Sequence, residues 1–303
     1  MSMRRMRILE GIVAGLGLSL LLVNLAAAQP QQLRSPNRIA LMPSGHLLVS
    51  DHRLKGVAVW NPHRERVNRL IRIPGRAIGV AAGWNLIFVG SELTGSVDVY
   101  SPGGRLKYVL GGEDGQVQRP SDIAVDLKRG LVFVSDTGAS RVLVYDYRGP
   151  LLRTIPAQDE PYRLEQPTGI AVDTERGEVL VSDFGKAGSF SMKAWVRIYD
   201  FEGKHRATIY GSAVQREFKF SRPQGIAVNA QGLIYLVDSL SGRVLVFDRE
   251  TLAGVEIIGE LGRGPGQLFL PLDVLIGGKS NDLYVSSNRT ARVVVFSDAG
   301  VLP

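Results

Sequence analysis

The sequence predicts an all-β fold, a six-bladed β-propeller of four-stranded antiparallel blades, and three observations lead to it. A phrase that opens with Pro and continues into Ile-Ala-Val or a close variant recurs at roughly 40–50 residues, a period typical of propellers and repeat arrays. Short runs of β-branched and aromatic residues, bounded by Gly, Pro, Asp and Ser, fill each repeat. Runs such as Leu131–Val134 and Val142–Tyr145 are apolar throughout. Both faces of each sheet should therefore be covered, as they are when blades stack radially. The copies begin near residues 36, 74, 120, 167, 223 and 271.

The third copy shows how one blade is built. It reads as four strands, predicted at Asp122–Asp126, Leu131–Ser135, Arg141–Asp146 and Leu151–Ile155. Gly- and Asp-containing segments separate them, and such segments favour tight turns between antiparallel strands. This copy is therefore expected to form a four-stranded blade.

The first 28 residues differ from the rest of the chain. Three Arg residues precede an apolar stretch from Ile12 to Leu25, and three Ala residues end at Ala28. This pattern is typical of a secretory signal peptide cleaved after Ala28, which predicts a periplasmic or secreted protein. The alternative is an uncleaved membrane anchor, although the apolar stretch is short for a bilayer.

Residues 29–303 are predicted to form one propeller. The last repeat stops after its third strand, at Phe296, while residues 29–35 precede the first strand of the first repeat. We expect residues 29–35 to supply the outer strand of the last blade, because pairing the two chain ends removes an open sheet edge. A disordered leader at residues 29–34 is the alternative.

Composition excludes several functions. The chain has no Cys, so thiol catalysis and thiolate metal sites are excluded. Its formal charge is +7, of which the first 28 residues carry +2 (three Arg, one Glu), leaving +5. A basic balance favours acidic partners through long-range attraction. Because the chain is predicted to be exported, acidic polymers or proteins of the cell envelope are expected rather than nucleic acid.

The connectors and strand motifs resemble those of NHL-repeat proteins. The residues that carry the resemblance are the Gly-rich connector Gly259–Pro271, Ile-Ala-Val-Asp at Ile123–Asp126 and Ile170–Asp173, and Arg-Val-Leu-Val-Phe-Asp at Arg243–Asp248. The resemblance covers essentially all of residues 29–303 and implies a six-bladed propeller of the NHL type. It implies little about activity, since similar propellers serve as enzymes, receptors, RNA-binding proteins and scaffolds.

Enzymatic function is the second hypothesis, and the sequence disfavours it. Gluconolactonases are similar propellers that hold calcium with acidic and Asn residues beside the motif. The matching positions here hold no carboxylate, although calcium sites usually include one. Peptide-amidating lyases are similar propellers with a His-bound zinc, but three of the four His residues fall in one repeat. We therefore predict no metal and no cofactor.

The recurring Asp at the end of each second strand, as in Asp136, is expected to cap a loop. The predicted channel mouth is formed by the residue that follows the opening Pro in four copies, together with one residue of the shifted copy. These residues are Asn37, Ser121, Thr168 and Gln224, with Arg76 from the shifted copy.

The main irregularity is an insertion in the fourth repeat, between Asp183 and Val196, followed by an extended exit connector. In an antiparallel four-stranded blade these two segments emerge on the same face, so they should form one aromatic and basic surface. Such surfaces are typical of binding sites for acidic or polar partners. Local packing of the aromatic residues between blades is the alternative. The predicted partner-binding residues are Phe184, Lys186, Phe190, Lys193, Trp195, Arg216, Phe218, Lys219, Phe220 and Arg222.

The sequence therefore predicts a non-catalytic, exported binding propeller that takes a protein, a peptide or an acidic glycan at this rim. A metal-dependent lactonase or lyase acting at the channel mouth is the alternative, and an RNA-binding propeller is a third hypothesis.

Overall fold

Residues 32–112, 117–185, 193–277 and 281–297 are described by the computed structural model. They form six antiparallel blades, each with its first strand innermost and later strands successively further out. The predicted six-bladed propeller is thus confirmed.

The strands of blade 3 agree within two residues with the predicted bounds, since the first begins at Pro120 and the second ends at Asp136. In the second blade the first strand begins at Ala77, because Pro74 lies in the connector before it. Blade 1 contains Pro36–Leu41 (β1), Leu47–Asp51 (β2), Gly56–Asn61 (β3) and Arg66–Arg72 (β4). Blade 2 contains Ala77–Gly83 (β5), Leu86–Ser91 (β6), Ser96–Tyr100 (β7) and Leu106–Leu110 (β8). Blade 3 contains Pro120–Asp126 (β9), Leu131–Asp136 (β10), Arg141–Asp146 (β11) and Leu151–Ile155 (β12).

The remaining blades follow the same order. Blade 4 contains Pro167–Asp173 (β13), Glu178–Asp183 (β14), Trp195–Asp200 (β15) and His205–Tyr210 (β16). Blade 5 contains Pro223–Val228 (β17), Leu233–Asp238 (β18), Arg243–Asp248 (β19) and Gly254–Ile258 (β20). A short parallel pair, Glu260–Leu261 (β21) and Gln267–Leu268 (β22), lies in the next connector. Blade 6 contains Pro271–Gly277 (β23), Asp282–Ser287 (β24) and Arg292–Phe296 (β25). Two single turns of 3₁₀-helix span Arg216–Phe218 and Asn288–Thr290.

The hydrophobic core lies between blades. Between blades 2 and 3, for example, Phe88 and Val99 pack against Val132 and Tyr145, and all four are buried. Apolar residues on both faces of every sheet are therefore covered by neighbouring blades, which explains why the strand sequences do not alternate. No helix in the described part of the chain is long and apolar enough to cross a bilayer.

The ring closes between blades 6 and 1 through side chains of both. Ser286 Oγ donates to the Asn37 carbonyl at 2.6 Å, and Asn288 Nδ2 donates to the Pro36 carbonyl at 3.0 Å. Leu33 is buried against Tyr284 of blade 6. In the described residues blade 6 has three strands, and residues 32–35 belong to none. Residues 29–31 lie outside the described part, so completion of this blade by residues 29–35 remains a prediction.

Candidate functional site

The two ends of the ring differ in composition. One end, here called the connector face, carries the starts of the innermost strands, the loops between second and third strands, and the ends of the connectors. The other end, the turn face, carries the two hairpin turns of each blade. This division follows from the antiparallel strand order, and it places the inserted segment of blade 4 and the following connector together on the connector face.

Repeated Asp residues fix the connector face. Asp51 Oδ2 accepts the backbone N–H groups of Arg34 and Ser35, and its Oδ1 accepts those of Arg53 and Leu54. Asp136 and Asp183 bind the connectors before their own blades in the same way. These buried carboxylates accept backbone N–H groups, and Asp136 also pairs through Oδ2 with Arg141 Nε at 3.4 Å. Their function is therefore to hold loops in place, as the repeat pattern predicts.

Arg38 blocks the channel at the level of the third motif residue. Its guanidinium donates to three carbonyls on three other blades: Ser121 on blade 3 (Nε, 3.2 Å), Thr168 on blade 4 (Nη2, 2.6 Å) and Leu272 on blade 6 (Nη1, 2.7 Å). The side chain is 4% exposed. One residue of blade 1 thus links four of the six blades across the axis.

Two carboxylates flank this guanidinium. Asp122 Oδ1 lies 3.7 Å from Arg38 Nε, and Asp273 Oδ1 lies 3.5 Å from Arg38 Nη1. Backbone groups of neighbouring blades also bind them, since Ile170 N donates to Asp122 and Ile39 N donates to Asp273. Burial raises the pKa of Asp122, and it raises the pKa of Asp273 to about 8, even though Arg38 acts to lower both. The cluster therefore retains a proton near neutral pH.

Glycine makes room for this cluster. The third motif residue of blades 4 and 5 is Gly169 and Gly225. A Cβ at Gly225 would lie 2.0 Å from Asp273 Oδ1, and one at Gly169 would lie 2.2 Å from the Gln224 carbonyl.

On the turn-face side of Arg38 the innermost strands enclose a cavity of about 260 Å³, whose lining includes Asp122, Asp273, Ala124, Ala171 and Ala227.

The predicted channel-mouth residues have structural partners. Thr168 Oγ1 donates to the Pro223 carbonyl at 3.1 Å, and Ser121 Oγ donates to the Ser135 carbonyl at 3.1 Å. Asn37 Nδ2 lies 3.1 Å from His52 Nε2, and Gln224 is half-buried. These polar groups mainly join strands and neighbouring blades.

Arg76 differs from the other predicted channel-mouth residues. The register of β5 on β6 places Ile78, not Arg76, at the position equivalent to Ser121. Arg76 is exposed on the connector face and pairs with Glu92 at 3.4 Å. Burial lowers the pKa of the neighbouring His52, and Arg76 adds to this effect.

No group of three or more potential metal ligands occurs in residues 32–112, 117–185, 193–277 and 281–297. The two channel carboxylates lie on either side of the Arg38 guanidinium, so this side chain occupies the position between them that a bound cation would need. The donor set in the channel therefore does not fit a divalent metal site.

The aromatic residues predicted to be exposed at the fourth-blade rim are largely buried. Trp195 is 5% exposed, Phe218 7% and Phe220 5%, and the last two pack against Phe247 between blades 4 and 5. The connector folds over the blade and places the rings of Phe218 and Phe220 in the gap, while Trp195 lies in β15, so the exposure expected for these rings is not observed. That they contact a partner remains a prediction. Phe184 is half-buried. Lys186 and Phe190 lie outside the described residues.

The basic residues of the same rim remain exposed. We call this region the basic connector surface, formed by segments 184–185, 193–194, 211–222, 239–243 and 259–270. Its exposed cations are Lys193, Arg216, Lys219, Arg222, Arg243 and Arg263, and its exposed acidic residues are Glu217 and Glu260. Within the described residues none of the six cations forms an ion pair. The surface therefore presents unpaired positive charge to solvent.

Sequence reasoning missed Arg38, Asp122 and Asp273. Charged residues at the third motif position, where other copies have Gly, were the available signal. An isolated Arg in one repeat does not reveal its partners, because these lie 83 to 235 residues away in the sequence.

Comparison with known proteins supports the repeat assignment. The NHL repeat family matches residues 117–145 and 220–247. The protein brain tumor of Drosophila melanogaster is 30% identical over 92 residues, which are 30% of this chain and 9% of the fly protein. The match thus spans a small part of that relative.

Solved structures show the same fold across most of the chain. A gluconolactonase from Xanthomonas campestris has a TM-score of 0.68 at 15% identity, covering 88% of this chain and 87% of its own. Nidogen in its laminin complex has a TM-score of 0.66 at 19% identity, covering 84% and 89%. A chain of Kuenenia stuttgartiensis hydrazine synthase has a TM-score of 0.63 at 13% identity, covering 91% and 99%. The chain thus contains two segments that match the NHL repeat, and it folds as a six-bladed β-propeller.

Proposed function

We propose that this protein is an exported, non-catalytic binding propeller that recognises an acidic protein segment, peptide or glycan through its basic connector surface. The observation that carries the proposal is that the segments of the basic connector surface hold six exposed cations without ion pairs and two exposed acidic residues, Glu217 and Glu260. Positive charge of this kind attracts an acidic partner and orients its approach.

Two further features support a binding role. The connector that carries Arg216, Lys219 and Arg222 is held by the buried rings of Phe218 and Phe220, so these three charges project from a packed segment. A preorganised surface loses less conformational entropy on binding. NHL propellers commonly bind proteins, which favours a protein or peptide partner over a glycan.

The proposal is tested with a charge-matched pair of variants. The first carries Lys193→Gln, Arg216→Gln, Lys219→Gln and Arg222→Gln on the connector surface. The second removes four cations from the opposite side of the ring: Arg64, Arg66, Arg105 and Lys107, each changed to Gln. Binding to a short glutamate-rich peptide is measured by titration calorimetry at physiological ionic strength, where long-range attraction to cations elsewhere on the ring is screened.

We expect the first variant to bind at least tenfold more weakly than wild type and the second to bind as wild type does. If both variants lose the same affinity, the loss comes from the change in net charge alone. That outcome would overturn the proposed site. Turnover of a lactone by the purified protein, lost on changing Asp122 or Asp273 to Asn, would favour the lactonase hypothesis instead.

Export is tested separately. The full chain is expressed in a bacterial host, and the periplasmic fraction is analysed by amino-terminal sequencing. A protein that begins at Gln29 would support signal cleavage after Ala28. A full-length protein confined to the cytosol would contradict export and make nucleic acid a candidate partner.

A further inference from the structure

A second basic surface lies on the outer rim of blades 1 and 2. We call it the basic outer rim and define it by segments 63–72 and 105–109, which comprise β4, the turn before it and most of β8. Its exposed cations are Arg64, Arg66, Arg69, Arg72, Arg105 and Lys107, and Glu65 is its one acidic residue. None of these cations forms an ion pair with another described residue.

The two strands of this rim form one surface. The Arg69 guanidinium donates to the Pro102 carbonyl in the turn before β8. A Cβ at Gly104 in the same turn would lie 3.4 Å from the Ile71 side chain, so the turn packs directly on β4. The cations of blade 1 are therefore continuous with Arg105 and Lys107 of blade 2.

The opposite side of the ring has the reverse charge. Segments 200–210 and 248–256, on the outer rims of blades 4 and 5, contain Asp200, Glu202, Asp248, Glu250 and Glu256 against Lys204, Arg206 and Arg249. Several of these cations are neutralised, since Arg206 pairs with Asp200 at 2.8 Å and Arg249 pairs with Glu178 at 2.7 Å. The positive rim of blades 1 and 2 is thus one end of an asymmetric charge distribution. The electric field of an anionic partner would turn this rim toward the partner.

Apolar side chains are exposed among the rim cations. On β8, Leu106 is 50% exposed and Val109 is 42% exposed, and Lys107 lies between them. Cations interleaved with exposed aliphatic side chains are suited to a bilayer surface, where the charges meet anionic headgroups and the apolar groups enter the interface. A soluble polyanion would attract the cations but offer nothing to the aliphatic groups.

The described chain also begins near this rim. Gln32 and Leu33 line a surface cavity of about 430 Å³ together with Trp60 and Glu65, and Glu65 belongs to the rim. The first described residues and the positive charge therefore lie on one edge of the propeller.

From these observations we infer that the basic outer rim docks the propeller edge-on against a bilayer surface rich in anionic phospholipid. Leu106 and Val109 contact the interface in this arrangement. The basic connector surface, on the other side of the ring, then remains free for a soluble partner.

The test uses the full chain, with its amino terminus read by mass spectrometry so that all variants are compared in the same processed form. Vesicles of pure phosphatidylcholine and of phosphatidylcholine with phosphatidylglycerol are sedimented with wild type and with the Arg64, Arg66, Arg105 and Lys107 to Gln variant. The matched control is the connector-surface variant described above, which loses the same net charge. Circular dichroism establishes that each variant is folded.

We expect binding to phosphatidylglycerol vesicles only, a loss of at least tenfold in the rim variant, and wild-type binding in the connector-surface variant. Each basic residue near an anionic surface strengthens membrane binding about fivefold. A tenfold loss is therefore expected even if only two of the four substituted cations lie at the membrane. Equal binding by the rim variant and wild type, or equal binding to both kinds of vesicle, would overturn the proposal.

A second variant distinguishes a membrane from a soluble polyanion. Leu106→Asn with Val109→Asn should weaken vesicle binding severalfold while leaving binding to heparin unchanged. Unchanged vesicle binding in this variant would show that the rim is a general polyanion surface and would contradict the membrane assignment. The connector-surface peptide assay is independent of these results, so the two proposals fail separately.

Discussion

Arg38→Met removes the one side chain that joins four blades across the channel. The substitution keeps a long side chain but deletes the charge and three hydrogen bonds, to the carbonyls of Ser121, Thr168 and Leu272. It also leaves Asp122 and Asp273 without their common cation. The expected result is a folded but less stable propeller.

The expected loss follows from burial of the pair. Removing one partner of a buried ion pair costs about 3–5 kcal/mol, because the remaining charge stays desolvated. For a domain of this size each kcal/mol shifts the midpoint of thermal unfolding by about 2–4 °C, so a fall of roughly 10 °C is expected. The control is Arg76→Gln, whose exposed pair with Glu92 should contribute less than about 1 kcal/mol.

The pH dependence tests the cause of the loss. Burial holds the pKa of Asp273 at about 8 in the folded protein, above its unfolded value. Folding therefore takes up a proton between roughly pH 4 and pH 8, and this group's contribution makes the fold less stable as pH rises through that window. Without Arg38 the pKa of Asp273 rises further, so the loss of stability should grow from pH 5 to pH 8, above a constant part that comes from the three lost hydrogen bonds.

Differential scanning calorimetry at pH 5, 6, 7 and 8 measures this pattern. The double variant Arg38→Met with Asp273→Asn should recover part of the loss at pH 8, because it removes one uncompensated carboxylate. A penalty independent of pH, or a double variant less stable than Arg38→Met at pH 8, would refute the electrostatic account.

Three other substitutions test the framework by thermal unfolding. Gly169→Ala would place a Cβ 2.2 Å from the Gln224 carbonyl and should lower stability by about 3 kcal/mol. The control is Gly103→Ala, whose Cβ meets nothing closer than 3.6 Å and which should leave stability nearly unchanged. Trp195→Ala should cost about 3–5 kcal/mol, because the ring is 5% exposed, and unchanged stability would return Trp195 to the binding surface. Asp51→Ala leaves four backbone N–H groups without an acceptor and should lower stability by at least about 3 kcal/mol. Asp51→Asn should recover part of this loss, and an equal loss in both variants would contradict the acceptor role.

Much of the fold was predictable because the information is local and repeated. The strand limits of blade 3 agree within two residues with those predicted, since turn residues and apolar runs mark them in each copy. The loop-capping role of Asp136 was also predictable, because a residue that repeats with the framework usually serves the framework. The first strand of blade 2 begins at Ala77, after Pro74 in the connector, because Ala77 stands where most other copies have Pro.

The candidate site was only partly predictable. The sequence located a basic, inserted rim, and Lys193, Arg216, Lys219 and Arg222 are exposed as expected. It did not reveal that Phe218 and Phe220 turn inward, since composition does not distinguish an exposed aromatic loop from one that fills a gap between blades. That choice depends on the space left between blades 4 and 5, which is a property of the assembled ring.

Local patterns and composition are enough to give the repeated blade, the number of blades and the positive charge of the chain. The charges that meet one another are fixed only by folding. Arg38, Asp122 and Asp273 are far apart in the chain and meet only because the ring closes, and the rim cations of blades 1 and 2 form one surface only because those blades are adjacent. Side-chain charge is written in the sequence, but its partners and its exposure are set by distances that exist only after folding.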